Sequence, residues 1–240
     1  MRIAMWSGPR NISTAMMRSW ENRSDSQVVD EPFYAYYLQQ TQSPHPCFEE
    51  VLASQSDDYN TVVAKLTQGD LRVSIEYQKH MTHHMLPGID LAWTKTLQHC
   101  FLIRSPAQVV NSYSNSRGVC SVEDIGIKRQ FQLYQVISDL TKQDIPIIDS
   151  NDVLQNPQGM LKGLCEKLGI AFSTKMLSWP KGRRASDGVW ATHWYKSVED
   201  STGFAPFSAK EFGLNEQQQA VVDQVQPYYQ QLFDKRMRVE

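Results

Sequence analysis

The first twenty residues of the chain place an apolar run, a polar loop and a second apolar-rich run in direct succession. Residues 3–6 are Ile-Ala-Met-Trp, residues 7–14 are Ser-Gly-Pro-Arg-Asn-Ile-Ser-Thr, and residues 15–20 are Ala-Met-Met-Arg-Ser-Trp. This order predicts a short strand, a tight turn and a helix. Backbone N–H groups in the first turn of a helix have no intrahelical partner and lie at the positive end of its dipole. The segment therefore predicts an anion site directly after the first strand.

The side chains of this loop suit a phosphate or a sulfate. Arg10 supplies a permanent cation, and Ser13 and Thr14 supply hydroxyls. The loop nevertheless departs from a Walker A sequence, because a register begun at Gly8 puts Ser13 and Thr14 where that motif has Gly and Lys. A kinase or GTPase is therefore disfavoured.

A second segment has the same strand-then-helix character. Residues 99–103 are apolar-rich, Arg104 follows them, and Pro106 fits the first turn of a helix, where its missing N–H is not needed. Ser112 lies eight residues after Arg104, in the second turn of that helix. We expect the Arg104 and Ser112 side chains to face one phosphate.

These two segments together resemble the sulfotransferase family. The 5′-phosphosulfate loop of that family has the pattern Pro-Lys/Arg-Ser-Gly-Thr/Ser-Thr, and its 3′-phosphate motif has an Arg at a strand end with a Ser eight residues later. The resemblance implies a P-loop-like α/β fold, with a central parallel sheet and helices on both faces. It also implies 3′-phosphoadenosine-5′-phosphosulfate (PAPS) as the sulfuryl donor, with no metal required. The residues that it assigns to PAPS binding are Arg10, Asn11, Ile12, Ser13, Thr14, Arg104 and Ser112.

A third stretch resembles the family more loosely. Residues 180–184 are Pro-Lys-Gly-Arg-Arg and precede Gly-Val-Trp at 188–190. Cytosolic sulfotransferases have an Arg-Lys-Gly segment followed by Gly-Asp-Trp, which closes over the cofactor. Lys181 and Gly182 match in type and become candidate PAPS-binding residues, although Pro180 replaces the Arg and the spacing differs. The alternative is a basic surface loop.

Two positions after predicted strands are candidates for the general base, because ligands of an open α/β sheet gather at the carboxyl ends of its strands. Glu31 follows the strand at 27–30, and Pro32 predicts an extended conformation for it. Some bacterial and polysaccharide sulfotransferases use a Glu at this place as base. Glu31 also suits a purely structural pairing with an Arg.

The rival base is His80, which we expect to follow a strand at 72–78. Cytosolic sulfotransferases have Lys-Thr-His here, in which the Lys contacts the transferred sulfuryl group and the His removes the acceptor proton. Lys79 matches the Lys, but Met81 occupies the His position and His80 stands one residue early. Side chains alternate along a strand, so this shift can turn His80 away from the cleft. For His83 and His84 the sequence favours solvated or hydrogen-bonded roles. The candidate catalytic residues are thus Arg10, Glu31, Lys79 and His80.

Composition agrees with a single enzyme domain over residues 1–240. The chain is 41% hydrophobic, enough for a full core, and has no apolar run of membrane-spanning length and no signal-peptide pattern. Its four cysteines lack Cys-x-x-Cys spacing, which disfavours a zinc site or a disulfide framework and favours the cytoplasm. A net charge of −2 disfavours a broad nucleic-acid surface. We expect a small-molecule or sugar acceptor bearing a hydroxyl or an amine, and the sequence does not indicate an oligomeric state.

Strand-like and helix-like segments alternate along the chain, as a parallel sheet requires. Strands are predicted near 2–6, 27–30, 72–78, 99–104 and 145–149, and helices near 13–23, 106–117, 123–142, 158–168 and 214–234. A short helix is also predicted from Phe48, and an ordered loop region over 179–212.

Three other functions stay open. The first is a P-loop phosphotransferase, in which Asp149 at the end of residues 145–149 would hold magnesium, although the loop lacks the Lys that such an enzyme needs. A protein of this fold could also bind the nucleotide without turnover. Similar stretches occur in plant proteins with aminotransferase-like modules, but this chain offers no setting of Lys and pyridinium partner for pyridoxal phosphate.

Overall fold

Five parallel strands form the centre of the computed structural model, which describes residues 1–118, 120–209 and 213–239. Their order across the sheet is β2-β3-β1-β4-β5, so β1 lies in the middle. Every described pairing between neighbouring strands is parallel. The strands are β1 (Arg2–Ser7), β2 (Ser26–Asp30), β3 (Ile75–Met81), β4 (Gln98–Ile103) and β5 (Ile147–Asp149).

Helices connect the strands and follow the last of them. The α-helices are α1 (Ser13–Glu21), α2 (Tyr34–Thr41), α3 (Phe48–Ser54), α4 (Tyr59–Thr67), α5 (Pro106–Arg117), α6 (Val122–Ile125), α7 (Ile127–Thr141), α8 (Ser150–Gln155), α9 (Pro157–Lys167), α10 (Ala191–Trp194), α11 (Lys196–Glu199) and α12 (Glu216–Asp234). Short 3₁₀ helices cover Thr82–His84, Ala92–Thr96 and Thr174–Leu177. Among the described helices, none combines the length and apolarity that a bilayer-spanning segment requires.

The alternation of β1 shows that the sheet is covered on both faces. Ile3 and Met5 pack into one apolar cluster, together with residues of α1 and α9. Ala4 and Trp6 pack into a second cluster, with residues of α5, α7 and α12. Successive residues of a strand face opposite sides of the sheet, so each cluster is the core of one face. The predicted α/β fold with helices on both faces is confirmed.

Two predicted elements differ from the structure. The strand predicted at 72–78 lies three residues later, because β3 pairs with the whole of β1, from Arg2 opposite Glu76 to Ser7 opposite Met81. The helix predicted at 123–142 is divided into α6 and α7 at Gly126, whose φ of 66° is left-handed and ends the first helix. The treatment of residues 1–240 as one domain stays a prediction.

Candidate active site

The carboxyl ends of the central strands open into a cavity of about 740 Å³. Residues 9–15, which include the end of the loop after β1 and the first turn of α1, form one part of its wall. Glu31 after β2, Lys79 in β3, and Arg104 after β4 form another part, and Ser112 of α5 completes this side. The structure thus brings these sequence-predicted residues to one cavity: Arg10, Asn11, Ile12, Ser13, Thr14, Glu31, Lys79, Arg104 and Ser112.

The residues predicted to bind the two phosphates contact one another. Arg10 has a left-handed backbone with φ of 56°, and its carbonyl oxygen accepts a hydrogen bond from Arg104 Nη1 at 2.5 Å. Arg10 Nε in turn donates to Ser112 Oγ at 3.1 Å. A left-handed conformation is unfavourable for a non-glycine residue, so the Arg104 hydrogen bond helps to hold the loop in this form.

The first turn of α1 directs N–H groups at the cavity. Its N-cap is Ile12, which makes no side-chain cap, and the first intrahelical hydrogen bond runs from the Met16 N–H to the Ile12 carbonyl at 2.9 Å. The N–H groups of residues 13–15 therefore precede the hydrogen-bonded part of the helix. Asn11 anchors the loop, because Nδ2 donates to the Leu102 carbonyl of β4 at 2.9 Å and Oδ1 accepts the Ile12 N–H at 2.8 Å.

Positive charge is concentrated at this end of the cavity. Burial and the neighbouring Arg10 charge lower the pKa of Arg104, partly opposed by Asp149. A guanidinium that is partly buried and close to a second one is stabilised by an anion between them. Together with the helix N-terminus, the two arginines form a site whose chemistry fits phosphate groups.

Lys79 is the centre of a second charged cluster in the cavity wall. Its Nζ donates to Asp30 Oδ1 at 3.0 Å, to Glu31 Oε1 at 2.7 Å and to the Tyr195 hydroxyl oxygen at 2.5 Å. Burial opposes the charged form of Lys79, but the Asp30 and Glu31 carboxylates outweigh it and raise the pKa of the ammonium. Lys79 is therefore a fixed cation.

Glu31 lines the cavity beside Lys79, in a conformation that the sequence did not predict. Its φ is 43°, so the predicted extended backbone was wrong. The Glu31 N–H donates to the Lys79 carbonyl at 3.0 Å, and the Glu31 carbonyl accepts the Tyr34 N–H at 3.1 Å, which turns the chain tightly into α2. Burial raises the pKa of the Glu31 carboxyl although Lys79 lowers it. A carboxylate with a raised pKa beside a cavity suits a general base.

Asp30 and Tyr195 complete this charged cluster. The Tyr195 hydroxyl lies 2.7 Å from Asp30 Oδ2 and accepts a hydrogen bond from Trp190 Nε1 at 3.1 Å. Asp30 Oδ2 also accepts the Gly188 N–H at 3.1 Å. Burial, Asp30 and Glu31 raise the pKa of Tyr195 well above its usual value, so its hydroxyl stays protonated. Sequence reasoning missed both residues as functional candidates, although Asp30 adjoins Glu31 and its place at a strand end was a usable signal.

Comparison with known proteins agrees with this geometry. A model of the sulfotransferase domain matches residues 1–235. The chain belongs to the sulfotransferase family. It is 36% identical over 205 residues to branched-chain-amino-acid aminotransferase-like protein 1 of Arabidopsis thaliana, a match that covers 85% of this chain and 36% of that protein. The chain therefore spans about a third of the length of this relative.

Two solved sulfotransferases share the fold. The sulfotransferase domain from the curacin biosynthetic pathway is 16% identical, with a TM-score of 0.56, and the match covers 93% of this chain and 96% of that one. The sulfotransferase from Alicyclobacillus acidocaldarius is 8% identical, with a TM-score of 0.56, and the match covers 98% and 96%. The predicted P-loop-like sulfotransferase architecture is confirmed.

Three candidates from the sulfotransferase resemblance lie outside the described lining of the cavity. His80 is buried on the other face of β3, where it stacks on Trp6 at a centroid distance of 4.4 Å and its Nε2 lies 3.1 Å from Gln78 Oε1. Because the strand continues to Met81, Lys79 and His80 face opposite sides. Lys181 is exposed, and the Gly182 N–H donates to the Glu199 carbonyl at 2.8 Å. The structure therefore does not bring His80, Lys181 or Gly182 to the site.

The burial of His80 predicts a pH-dependent stability. Burial lowers the pKa of His80 to about 3, whereas the unfolded side chain titrates near pH 6.5. The unfolded chain therefore binds the extra proton first, and stability falls as the pH drops from about 6.5 towards 3. At pH 5 this one residue should lower the free energy of unfolding by about 2 kcal/mol relative to neutral pH. Urea unfolding at pH 7 and pH 5 measures the effect.

The matched control for this prediction is His193, whose side chain is exposed. His80→Gln should remove about 2 kcal/mol of the difference between the two pH values, whatever its own cost in stability. His193→Gln should leave the difference unchanged. Equal pH dependence in the wild type and in His80→Gln would contradict the prediction.

Aromatic and histidine rings form the part of the cavity wall beyond Glu31. His84 stacks on Tyr34 at 4.4 Å and on Tyr37 at 4.9 Å. It is buried rather than solvated, its Nε2 lies 4.0 Å from Glu31 Oε2, and this nitrogen has no hydrogen-bond partner among the described residues. Burial and the neighbouring His83 lower the pKa of His84, which is therefore neutral at pH 7. Trp194 and Phe204 line the same cavity.

The described residues contain no group of three or more His, Cys, Asp or Glu side chains arranged to hold a metal ion.

Proposed function

We propose that this protein transfers a sulfuryl group from PAPS to the hydroxyl or amine of a small-molecule or sugar acceptor. The observation that carries the proposal is the contact of Arg10 with both Arg104 and Ser112, at the N-terminus of α1. This cationic end shares one cavity with Lys79 and Glu31. Anion binding and proton transfer are thus supported within a single site.

The donor fits the cationic end. The α1 N-terminus, Arg10 and the Ser13 and Thr14 hydroxyls would hold the 5′-phosphosulfate, and Arg104 with Ser112 would hold the 3′-phosphate. Two half-buried arginines in contact with each other and several backbone N–H donors match a ligand with two separate anionic groups. The family resemblance supports the same division.

The remaining groups suit transfer by in-line displacement. PAPS supplies the sulfuryl group, whose bond to the 5′-phosphate oxygen breaks as a bond to the acceptor forms. Arg10 and the helix N–H groups stabilise the charge that develops on the leaving phosphate, and Lys79 that on the sulfuryl oxygens. Glu31 accepts the proton that the acceptor loses. The ring wall of Tyr34, Tyr37 and His84 offers an apolar surface to the body of the acceptor.

The phosphotransferase alternative has less support. Asp149, its candidate magnesium ligand, accepts the Asn151 N–H at 2.8 Å and the Tyr229 hydroxyl at 2.9 Å. Its carboxylate thus caps α8 and anchors α12, and it lies outside the described lining of the cavity. The cytoplasmic location and the independence from metal, nucleic acid and membrane stay predictions.

Thermal unfolding with nucleotides tests the proposal without any acceptor. Adenosine 3′,5′-bisphosphate (PAP), the product nucleotide, should stabilise the protein by about 2.7 kcal/mol at a hundredfold excess over its Kd, which raises the Tm by several degrees. This should not require magnesium. AMP and ATP should raise the Tm much less, because neither carries a 3′-phosphate for Arg104 and Ser112.

The test depends on which nucleotide raises the Tm most, since any cationic loop binds phosphates to some extent. PAP above AMP and ATP supports the proposal. Stronger protection by ATP with magnesium would overturn it in favour of a phosphotransferase. PAP binding without sulfuryl transfer to any of a panel of alcohols, phenols, amines and sugars would indicate a nucleotide-binding protein without turnover.

A further inference from the structure

In the structure, all three N–H groups of Lys79 already donate hydrogen bonds. None is left to contact the sulfuryl group that PAPS would transfer. An ammonium has three donors. Those of Lys79 are used by Asp30 at 3.0 Å, by Glu31 at 2.7 Å and by Tyr195 at 2.5 Å. For Lys79 to contact a sulfuryl oxygen, one of these three hydrogen bonds must be given up.

The three partners of Lys79 differ in how firmly they are held. The Asp30 side chain is 2% exposed, lies behind the described lining of the cavity and also binds the Gly188 N–H and the Tyr195 hydroxyl. Tyr195 also lines the cavity, but its hydroxyl is held by Asp30 Oδ2 at 2.7 Å and by Trp190 Nε1 at 3.1 Å. The Glu31 side chain is 10% exposed and lines the cavity. Glu31 is therefore the partner that can exchange with a ligand.

We propose that Asp30 and Tyr195 are positioning residues, which hold the Lys79 ammonium at the sulfuryl group of PAPS while Glu31 releases it. This inference rests on the proposed function. Asp30 and Tyr195 act through Lys79 and do not themselves take part in bond making.

The exchange has a consequence for the base. In the structure, one Glu31 oxygen is occupied by Lys79. Once Lys79 turns to a sulfuryl oxygen, that carboxylate oxygen keeps only the long contact of 3.5 Å with the Tyr195 hydroxyl and can accept the proton of the acceptor. The charged and titratable groups that face Glu31 are Asp30 of β2, Lys79 of β3, His84 after β3 and Tyr195 after α10. Of these, Lys79 lowers the pKa of Glu31 and Asp30 raises it, so donor binding makes Glu31 the stronger base.

The test compares the binding of PAPS with that of PAP, which lacks the sulfuryl group, by calorimetry at pH 7 without acceptor. Wild-type protein should bind PAPS more tightly than PAP, because Lys79 contacts the sulfuryl group. Asp30→Asn should lower this preference about tenfold, and Tyr195→Phe about threefold, as expected for one charged and one neutral hydrogen bond. Both variants should bind PAP within about twofold of the wild type.

Tyr229→Phe is the matched control for Tyr195→Phe. The Tyr229 hydroxyl also donates to a buried carboxylate, Asp149 Oδ2 at 2.9 Å, but Tyr229 lies outside the described lining of the cavity. This variant loses the same kind of hydrogen bond and should keep the wild-type preference for PAPS. If Asp30→Asn fails to fold, Tyr195→Phe and the charge-preserving Asp30→Glu provide the comparison, and Asp30→Glu should retain more of the preference than Tyr195→Phe.

The outcomes separate the inference from the proposed function. Wild-type protein that does not bind PAP overturns the proposed function, and the inference with it. PAP binding with equal affinity for PAPS, or an unchanged preference in Tyr195→Phe and in the folded Asp30 variant, overturns the inference alone.

Discussion

Glu31→Gln should lower the rate of sulfuryl transfer by about a hundredfold to ten-thousandfold, the usual contribution of a positioned general base. The amide has nearly the same shape as the carboxylate and can still accept a hydrogen bond from Lys79, but it cannot take up a proton. PAP affinity should stay unchanged, because Glu31 lies at the Lys79 end of the cavity and not at the arginine end. Initial rates and PAP titrations measure the two quantities.

The pH dependence provides a second readout of Glu31. Burial and Asp30 raise the pKa of its carboxyl, partly opposed by Lys79. A base must be deprotonated to act, so the wild-type rate should fall as the pH drops through this raised pKa. Glu31→Gln should lack that decline.

His80→Gln is the control for the identity of the base, since His80 faces away from the cavity. It should keep most of the activity at pH 7. Loss of activity in His80→Gln with little loss in Glu31→Gln would contradict the assignment. If both variants remain active, the acceptor needs no protein base, as an amine acceptor would not.

Arg104→Ala should weaken PAP binding by about tenfold or more, because hydrogen bonds to charged groups contribute about 1.5–3 kcal/mol. Arg104 is expected to act twice: its guanidinium binds the 3′-phosphate, and its Nη1 holds the carbonyl of the left-handed Arg10. Its removal therefore also loosens the loop around the 5′-phosphate. Calorimetric titration with PAP measures the loss.

Arg183→Ala is the charge-matched control, because Arg183 is exposed and pairs with Glu199 outside the cavity. It should leave PAP affinity within about twofold of the wild type. Arg10→Ala and Arg104→Ala should not be additive in the double variant, since the two residues are in contact. Unchanged affinity in Arg104→Ala would remove the 3′-phosphate assignment.

The meeting of Arg10, Arg104 and Ser112 at one cavity was predictable because the segments that carry them are local in sequence. The local sequence is enough to predict the conformation of the loop at 7–14 and of the helix that starts at Pro106. The strand ends of a parallel sheet meet at one edge, which brings the two segments together. The family resemblance then indicated PAPS as the ligand to expect there, which stays a proposal.

The acid–base end was predictable only in part. His80 was a candidate base because of the resemblance to the Lys-Thr-His segment of cytosolic sulfotransferases, and the expected end of the strand at residue 78 left its direction open. Pairing with β1 extends β3 to Met81 and turns His80 to the other face. Tyr195 lies 165 residues from Asp30, and no local motif marks it. Contacts between residues so far apart in sequence depend on how the whole chain packs. The spacing of residues within one segment does not predict them.

The contacts of the Asp30 carboxylate also bear on the stage of folding at which the site forms. This carboxylate joins Lys79 to Tyr195 and to the Gly188 N–H, so residues from the first and last thirds of the chain meet at one buried side chain. Such long-range contacts form late, after the entropy of closing the intervening loops has been overcome. During synthesis Lys79 and Glu31 can therefore meet Asp30 before Tyr195 and Gly188 reach it. The hydrogen bonds of Asp30 are complete only once the final third of the chain packs against the sheet.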